Sequence, residues 1–337
     1  MSIELFICDK LKILKIGSVK AHSGSKVSEA LFVADRPAHP LYMPFTIING
    51  VNEGPLVAIT AGIHGTEYVG IAAALDLIQK LNPKDVSGGL VIVPVVNIPG
   101  YEWRSKCTCP VEDDYSGTRN INRLFPGKSD ATIAHQIAHV LYNQIVSKAN
   151  FLIDLHGGDI YEYIVPCSMA YTKGDKEFDF KVAELARYSG LEYCIRRGIE
   201  NLDGRLTVEA AKIGVPAITI ECGDHGVIDE QKVNLALDAV MNILRYLNVL
   251  AGKPKEYPYP KMIKGMVVVR AKKGGLLRSH VRLGSNVSAG EKLGEIQGLD
   301  GGVKEAIISP VDGLLIQWSS NPSVTSGESV VEIAEFG

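Results

Sequence analysis

The chain reads Leu-Val-Ala-Ile-Thr-Ala-Gly-Ile-His-Gly-Thr-Glu over residues 56–67, and the rest of the fold is interpreted outward from this stretch. The apolar run at 56–60 is typical of a short buried strand. His64 and Glu67 follow the strand at once, just before a helix predicted at 68–81. In open α/β sheets, ligands bind at the carboxyl ends of the strands. Imidazole and carboxylate are both zinc ligands, so His64 and Glu67 are candidates for one metal site, although a His-x-x-Glu pair at a helix start also occurs without a metal.

Length and composition indicate a folded protein without a nucleic-acid or membrane partner. The 337 residues predict one large or two modest domains, and 46% hydrophobic with 22% charged residues is ordinary for a globular protein. The net charge is −3, and no basic block suggests nucleic-acid binding. No apolar run approaches the about 18 residues of a membrane span, and the N-terminus lacks a secretory pattern. A cytoplasmic protein with reduced cysteines is therefore expected.

Alternating strand and helix patterns predict an α/β fold with a mixed, mostly parallel sheet and helices on both faces. Buried strands are predicted at 56–60, 90–97, 151–155, 163–166 and 217–220, and helices at 68–81, 132–147, 176–189, 203–213 and 229–250. This alternation fills a catalytic domain over residues 1–252, whose first 50 residues are β-rich, and residues 98–128 form a long loop of the kind that is often functional. A linker at 253–262 leads to residues 263–337, where short strands between glycine turns predict a small all-β barrel or sandwich module.

Two further loops carry polar groups at the same place in the predicted sheet. His156 and Glu221 each follow a buried strand. If the strands are parallel, both groups lie at the same edge as His64 and Glu67. Two histidines and one carboxylate leave the fourth zinc position open, which is the pattern of a catalytic site. Zinc lowers the pKa of bound water to about 7, so Glu221 is a candidate general base. Taken singly, His156 is also compatible with a structural hydrogen bond, and Glu221 with a helix N-terminus.

The long loop adds cationic and amide groups. It contains Arg104, Arg119, Asn122 and Arg123. Arginine pairs with carboxylates through two parallel hydrogen bonds, and an amide adds directional ones. A small anionic substrate is therefore expected, with solvated surface arginines as the alternative.

Four motifs follow one another along the chain: Gly62-Ile-His-Gly-Thr-Glu67, Asn120-Ile-Asn-Arg-Leu-Phe-Pro-Gly127, Asp154-Leu-His156 and Ile220-Glu-Cys-Gly223. Together they resemble the succinylglutamate desuccinylase/aspartoacylase family, which belongs to the wider group of zinc carboxypeptidase-like enzymes. The resemblance covers roughly residues 40–335. It implies a zinc carboxypeptidase-like fold and a zinc-dependent amidohydrolase that cleaves a small N-acyl amino acid.

The resemblance also implies roles for individual residues, with one Zn²⁺ per chain. The implied site consists of the zinc ligands His64, Glu67 and His156, the base and proton shuttle Glu221, the α-carboxylate ligands Asn122 and Arg123, and an oxyanion arginine that is either Arg104 or Arg119. The family often reads Asp-Leu-Asn-Arg where this chain reads Asn-Ile-Asn-Arg from Asn120. This departure is expected to change the anchoring of the loop or the substrate preference rather than the zinc site.

The C-terminal segment resembles the biotinyl/lipoyl-like β module in its turns at 309–313 and 324–328. It lacks the carrier lysine at the hairpin tip, so a structural or gating role is expected and a covalent cofactor is not. Two alternatives stay open: a metallocarboxypeptidase that acts on peptides, and a non-catalytic zinc-binding protein. A tail that narrows the entrance would favour small substrates. A homo-oligomer is compatible with the sequence.

Overall fold

The structure, a computed structural model, describes residues 13–108 and 119–336 and shows a mixed α/β fold. The helices are α1 (Tyr68–Lys80), α2 (Ile98–Trp103), α3 (Ile133–Gln144), α4 (Lys176–Tyr188), α5 (Leu206–Lys212) and α6 (Glu230–Tyr246). The strands are β1 (Ile13–Ile16), β2 (Val19–His22), β3 (Ser25–Ala34), β4 (Leu41–Asn49), β5 (Asn52–Ala61), β6 (Ser87–Val93), β7 (Phe151–His156), β8 (Glu162–Ile164), β9 (Cys167–Thr172), β10 (Tyr193–Gly198), β11 (Ala217–Glu221), β12 (Lys261–Arg270), β13 (Gly275–Ser279), β14 (Asn286–Val287), β15 (Lys292–Gln297), β16 (Val303–Ile308), β17 (Gly313–Ser319), β18 (Ser323–Val324) and β19 (Ser329–Phe336). Short 3₁₀ turns lie at Pro83–Asp85, Ile121–Arg123 and Val146–Lys148.

A large mixed sheet forms the centre of the molecule. Within the described residues its order is β14-β17-β19-β12-β10-β9-β11-β7-β5-β6-β4-β3. The central pairs β5–β6, β5–β7 and β7–β11 are parallel, as are β9–β10 and β10–β12. Both flanks are antiparallel; β3 and β4, for example, are joined by a short connection that allows only this pairing. The central pair β9–β11 is also antiparallel, so the expected parallel arrangement is restricted to two groups of strands, β6-β5-β7-β11 and β9-β10-β12.

Helices cover both faces of this sheet, because successive residues of a strand point to opposite sides. Val57 and Ile59 of β5 belong to a core cluster with residues of α1, α4 and α6. Ala58, between them, belongs to the opposite cluster with residues of α3 and α5. Among the described helices, none combines the length and apolar character that crossing a membrane would require.

Four elements differ from the sequence predictions. The predicted long loop begins with α2, which starts where the Asn97 side chain accepts a hydrogen bond from the Gly100 N–H at 2.9 Å. The strands β9 and β10 lie in the middle of the large sheet, where the sequence predicts no strand. The strand predicted at 163–166 corresponds to β8, which pairs with β17 of the C-terminal segment rather than with a central strand.

The C-terminal segment contributes to the large sheet and also forms a second sheet. β12 pairs with β10 in parallel and with β19 antiparallel. The second sheet, in the part of the chain that the structure describes, has the order β16-β15-β13-β18. The residues before β12 are bound to the helices: the Asn242 amide pairs with the backbone of Lys255 at 2.7 and 3.0 Å, and Arg187 binds Glu256 at 2.7 Å. Through β17, this segment lies beside the loop that follows β7.

Candidate metal centre and active site

Three loops meet at one edge of the sheet, because β5, β7 and β11 are neighbouring parallel strands. His156, the last residue of β7, lies directly opposite Glu221, the last residue of β11. The loop that carries His64 and Glu67 follows β5. The structure thus brings together the four groups that the sequence predicts at this edge.

Close packing of the backbone holds the first of these loops. Gly62 has a φ of 65°, a left-handed conformation that favours glycine, and its carbonyl accepts a hydrogen bond from Asn97 N–H at 2.9 Å. A Cβ at Gly65 would lie 2.2 Å from the carbonyl carbon of Gly100 in α2. The loop that presents His64 is therefore packed directly on α2 and has no room for a larger residue at position 65.

The side chains of His64, Glu67 and His156 converge. Their candidate ligand atoms all lie within 4.8 Å of one another, and the three residues are buried. The Glu67 carboxylate contacts both imidazoles, with 2.6 Å to Nδ1 of His64 and 2.8 Å to Nδ1 of His156. Glu67 precedes α1, but its carboxylate makes no capping bond to the helix. The geometry therefore favours the metal-site interpretation of the His-x-x-Glu pair over helix capping.

The outer nitrogens of the two imidazoles are held by different groups. Nε2 of His156 donates to Asp154 Oδ2 at 2.9 Å, and Asp154 also accepts a hydrogen bond from Thr60 at 2.6 Å. Nε2 of His64 donates to Asn120 Oδ1 at 3.1 Å. Such outer partners fix the ring orientation and leave the other nitrogen for a metal. Asn120, where the family often has aspartate, thus contacts a candidate ligand as well as anchoring its loop.

The charges of neighbouring side chains determine the direction in which the pKa values of Glu67 and His156 shift. Burial alone would raise the pKa of Glu67, but His64 and His156 together hold it well below its usual range. Burial would lower the pKa of His156, yet the charges of Asp154 and Glu67 raise it well above its ordinary value. Nδ1 of His156 faces the Glu67 carboxylate at 2.8 Å, and Nε2 faces Asp154 at 2.9 Å. A cation could replace the proton on Nδ1, since metal ligands must be deprotonated.

Glu221 is half-buried at the end of β11. Burial raises the pKa of Glu221 to about 8; the carboxylates of Glu67, Glu162 and Asp154 add to this, and His156 opposes it. Glu221 does not cap a helix, because Asp229 occupies that position at the start of α6. A carboxyl group with a raised pKa beside a candidate metal site can both accept and return a proton.

Asn122 and Arg123 lie on the 3₁₀ turn that packs against the start of α5. The Leu206 N–H donates to Asn122 Oδ1 at 2.9 Å. Arg123 is exposed at its surface. Burial of part of its side chain, together with the charge of Arg205, lowers the pKa of Arg123. Neither Arg123 nor Arg205 forms a salt bridge with a carboxylate among the residues that the structure describes. Adjacent guanidinium groups of this kind are suited to an anionic ligand.

The two arginines considered for the oxyanion lie in different surroundings. Arg104 follows α2 in the left-handed conformation, with a φ of 53°, and is exposed. Arg119 is half-buried and directly precedes Asn120; its carbonyl accepts hydrogen bonds from Thr108, and its charge acts on the Cys107 thiol.

The sequence does not predict an ion pair between Lys106 and Glu162, which the structure shows beside the cluster. Lys106 Nζ lies 3.2 Å from Glu162 Oε1, and 31% and 32% of the two side chains are exposed. The two residues are 56 positions apart, and nothing in either local pattern indicates the contact. The only sequence signal is that each lies in a loop next to a predicted ligand.

Comparison with known proteins relates the chain to one family. The sequence model of the succinylglutamate desuccinylase/aspartoacylase catalytic domain matches residues 53–247. The N-alpha-acetyl-L-2,4-diaminobutyric acid deacetylase of Halomonas elongata is 26% identical over 303 residues, which are 87% of this chain and 85% of that protein.

Solved structures extend the similarity of the fold to almost the whole chain. An ectoine utilization protein from Ruegeria pomeroyi, solved with product bound, has a TM-score of 0.84 at 23% identity and covers 97% of this chain and 99% of its own. A succinylglutamate desuccinylase/aspartoacylase from Rhodobacter sphaeroides has a TM-score of 0.82 at 23% identity, with 93% and 96% covered. These similarities show a shared fold that includes the C-terminal strands.

Proposed function

Because the chain belongs to the succinylglutamate desuccinylase/aspartoacylase family, we propose that it is a zinc-dependent hydrolase that cleaves the amide bond of a small N-acyl amino acid. The deacetylase from H. elongata supports N-acyl amino acids as the substrate class. The observation that carries the proposal is the convergence of His64, Glu67 and His156, with Glu221 beside them.

The donor set fits one Zn²⁺ per chain. Two imidazole nitrogens and a carboxylate oxygen are zinc ligands, and three protein ligands leave a fourth position for water or substrate. Asp154 and Asn120 hold the outer ring nitrogens as second partners of zinc-binding histidines usually do. A Zn²⁺ ion bound there would supply a Lewis acid and would lower the pKa of water to about 7.

Glu221 carries out the proton transfers in this proposal. Its carboxylate accepts a proton from the water that attacks the acyl carbon, and returns it to the amine as the C–N bond breaks. The products are a carboxylic acid and the free amino acid. Burial of Glu221, which raises its pKa to about 8, favours the carboxyl group that must hold the proton between the two steps.

The substrate's α-carboxylate is assigned to Asn122 and Arg123. Support comes from their shared turn, from the exposed guanidinium of Arg123, and from the neighbouring Arg205, which adds a second positive charge. A guanidinium binds a carboxylate through two parallel hydrogen bonds, which fixes the orientation of the substrate.

Zinc content and hydrolysis of a panel of N-acyl amino acids, measured on the same samples, test the proposal. His64→Ala is expected to lose both zinc and activity, because one ligand is gone. Glu221→Gln is expected to keep zinc but to lose kcat by about 10²–10⁴-fold, since the base is missing. His280→Ala, which removes an exposed histidine of the C-terminal segment, is the matched control and should resemble wild type. Full activity of a metal-stripped sample would contradict the mechanism.

A further inference from the structure

Lys106 is a half-buried cation held at the edge of the candidate active site. Its ammonium pairs with Glu162 at 3.2 Å. The second carboxylate oxygen of Glu162 accepts a hydrogen bond from the Asp159 N–H at 3.3 Å. Glu162 is therefore fixed at both oxygens and holds the Lys106 ammonium in place.

A chain of hydrogen bonds connects this pair to both sides of the metal-binding loop. The Asn97 amide donates to the carbonyls of Ile63 and Lys106 at 3.3 and 3.4 Å, which ties Lys106 to the residue before His64. On the other side, Thr66, the residue before Glu67, donates to the carboxylate of Asp159. Lys106 and Glu162 thus bridge the two ends of the segment that carries the first two ligands.

The Lys106–Glu162 pair interacts electrostatically with groups of the candidate site. Burial alone would lower the pKa of Lys106, but the carboxylates of Glu162, Glu67 and Asp159 raise it above its ordinary value. The charge of Glu162 also acts on Glu221. Lys106 therefore carries a positive charge that interacts with the candidate zinc ligand Glu67, and its partner Glu162 interacts with the candidate base.

The two arginines suggested by the family resemblance, Arg104 and Arg119, are the competing assignments for the oxyanion role. Arg104 is exposed, and the charge of Arg119 acts on the Cys107 thiol. Arg119 precedes Asn120, whose side chain accepts a hydrogen bond from His64 at 3.1 Å, so Arg119 is also linked to the loop of His64 and Glu67.

We propose that the Lys106 ammonium binds the acyl carbonyl oxygen and stabilises the oxyanion, with Glu162 as its positioning residue. This proposal rests on the proposed deacylase function. An ammonium has three N–H donors, and Glu162 takes one of them, which leaves donors for a substrate oxygen. A cation fixed beside a developing negative charge stabilises the transition state without reorganisation at the moment of reaction.

Kinetics of substituted enzymes, with zinc content measured on every sample, test this assignment. Lys106→Met is expected to lower kcat by about 10²–10³-fold at unchanged zinc content. Lys106→Arg should recover part of the loss, because the charge returns on a different donor geometry. Lys106→Ala should recover activity when ethylammonium is added. Lys261→Met, which removes a lysine from an exposed ion pair with Glu192, is the matched control.

A binding measurement makes the test independent of turnover. The probe is a phosphonamidate of an N-acyl amino acid substrate, in which an anionic tetrahedral phosphorus replaces the acyl carbon. Calorimetry should show that Lys106→Met weakens binding of this probe about as much as it lowers kcat, because transition-state analogues report the same interaction. Substrate KM should change far less.

Two results would overturn the assignment. One is equal binding of the phosphonamidate by Lys106→Met and Lys261→Met. The other is a larger loss of kcat in Arg104→Gln or Arg119→Gln than in Lys106→Met. If wild type hydrolyses no N-acyl amino acid while phosphonamidate binding still depends on Lys106, the deacylase function fails and the role of Lys106 as an oxyanion ligand stands.

Discussion

At the scale of single residues, the two imidazoles of the candidate metal centre differ in their outer partners. His156 is held by the carboxylate of Asp154, and His64 by the neutral amide of Asn120. A carboxylate partner raises the basicity of a ligating imidazole more than an amide does. The candidate metal centre is therefore asymmetric, with one strongly and one weakly polarised histidine.

This asymmetry predicts opposite effects of two isosteric substitutions on zinc affinity. Asp154→Asn should weaken zinc binding by about 10–100-fold, because His156 loses its charged partner. Asn120→Asp should strengthen zinc binding, because His64 gains a charged partner while the shape of side chain 120 is kept. Competition against a chromogenic chelator measures both, with Asp238→Asn on the exposed face of α6 as the control. Weaker zinc binding by Asn120→Asp would contradict this account of the centre.

The candidate ligands can be predicted from the sequence, whereas the ion pair beside them cannot. His64, Glu67, His156 and Glu221 each follow a buried apolar run, so an ordering rule for parallel sheets is enough to bring them together. The ion pair of Lys106 and Glu162 depends on how the loop of Lys106 and the start of β8 are placed in space. Neither the periodicity of apolar residues nor the spacing of the two residues indicates this placement, so only the structure reveals the pair.

At the scale of secondary-structure elements, the helices follow from the sequence better than the strands do. The predicted helices at 68–81 and 176–189 agree with α1 and α4 to within one residue, because a 3.6-residue apolar repeat is visible over several turns. β9 and β10 have six residues each, and β10 ends in Arg-Arg-Gly, so neither shows a clear alternation. Their place in the sheet is decided by neighbours that are distant in sequence.

The contact between the Asn122–Arg123 turn and the start of α5 allows a test at this scale. Gly204, just before α5, has a φ of 85°, and a Cβ there would lie 2.2 Å from the Arg123 carbonyl oxygen. Gly204→Ala should therefore displace the turn and raise KM for the anionic substrate, while zinc content stays unchanged. The enzyme should also lose about 1–2 kcal/mol of stability from the left-handed backbone.

Gly174 supplies the matched control for this substitution. Its φ is 81°, close to that of Gly204, but a Cβ there meets no atom within 4 Å. Gly174→Ala should lose only the about 1–2 kcal/mol of stability that comes from the left-handed backbone and should keep a normal KM. Steady-state kinetics and thermal unfolding of both variants separate backbone strain from displacement of Arg123. An equal KM in the two variants would show that this turn does not bind substrate.

At the scale of the whole molecule, the C-terminal segment is bound to the rest by a sheet and by a shared core. β12 continues the large sheet beside β10. One core cluster combines Cys167 and Ile195, from β9 and β10, with Leu314 and Ile316 of β17. The segment also contacts the loop after His156, where the Ser320 hydroxyl donates to the Ile160 carbonyl at 2.8 Å. The local glycine and strand pattern of this segment resembles a separate module because it contains no sign of these distant pairings.

These contacts predict that the chain unfolds as one cooperative unit. Trp103 and Trp318 are the two tryptophans, so Trp103→Phe leaves Trp318, buried at 7% exposure, as a fluorescent reporter of the C-terminal segment. The described helices α1–α6 all precede this segment, so far-ultraviolet circular dichroism reports mainly on the remainder. Thermal unfolding followed by the two signals should give the same midpoint, since shared sheet and core couple the two parts. A Trp318 transition at a clearly lower temperature would show instead that the segment folds as a separate module docked on the site.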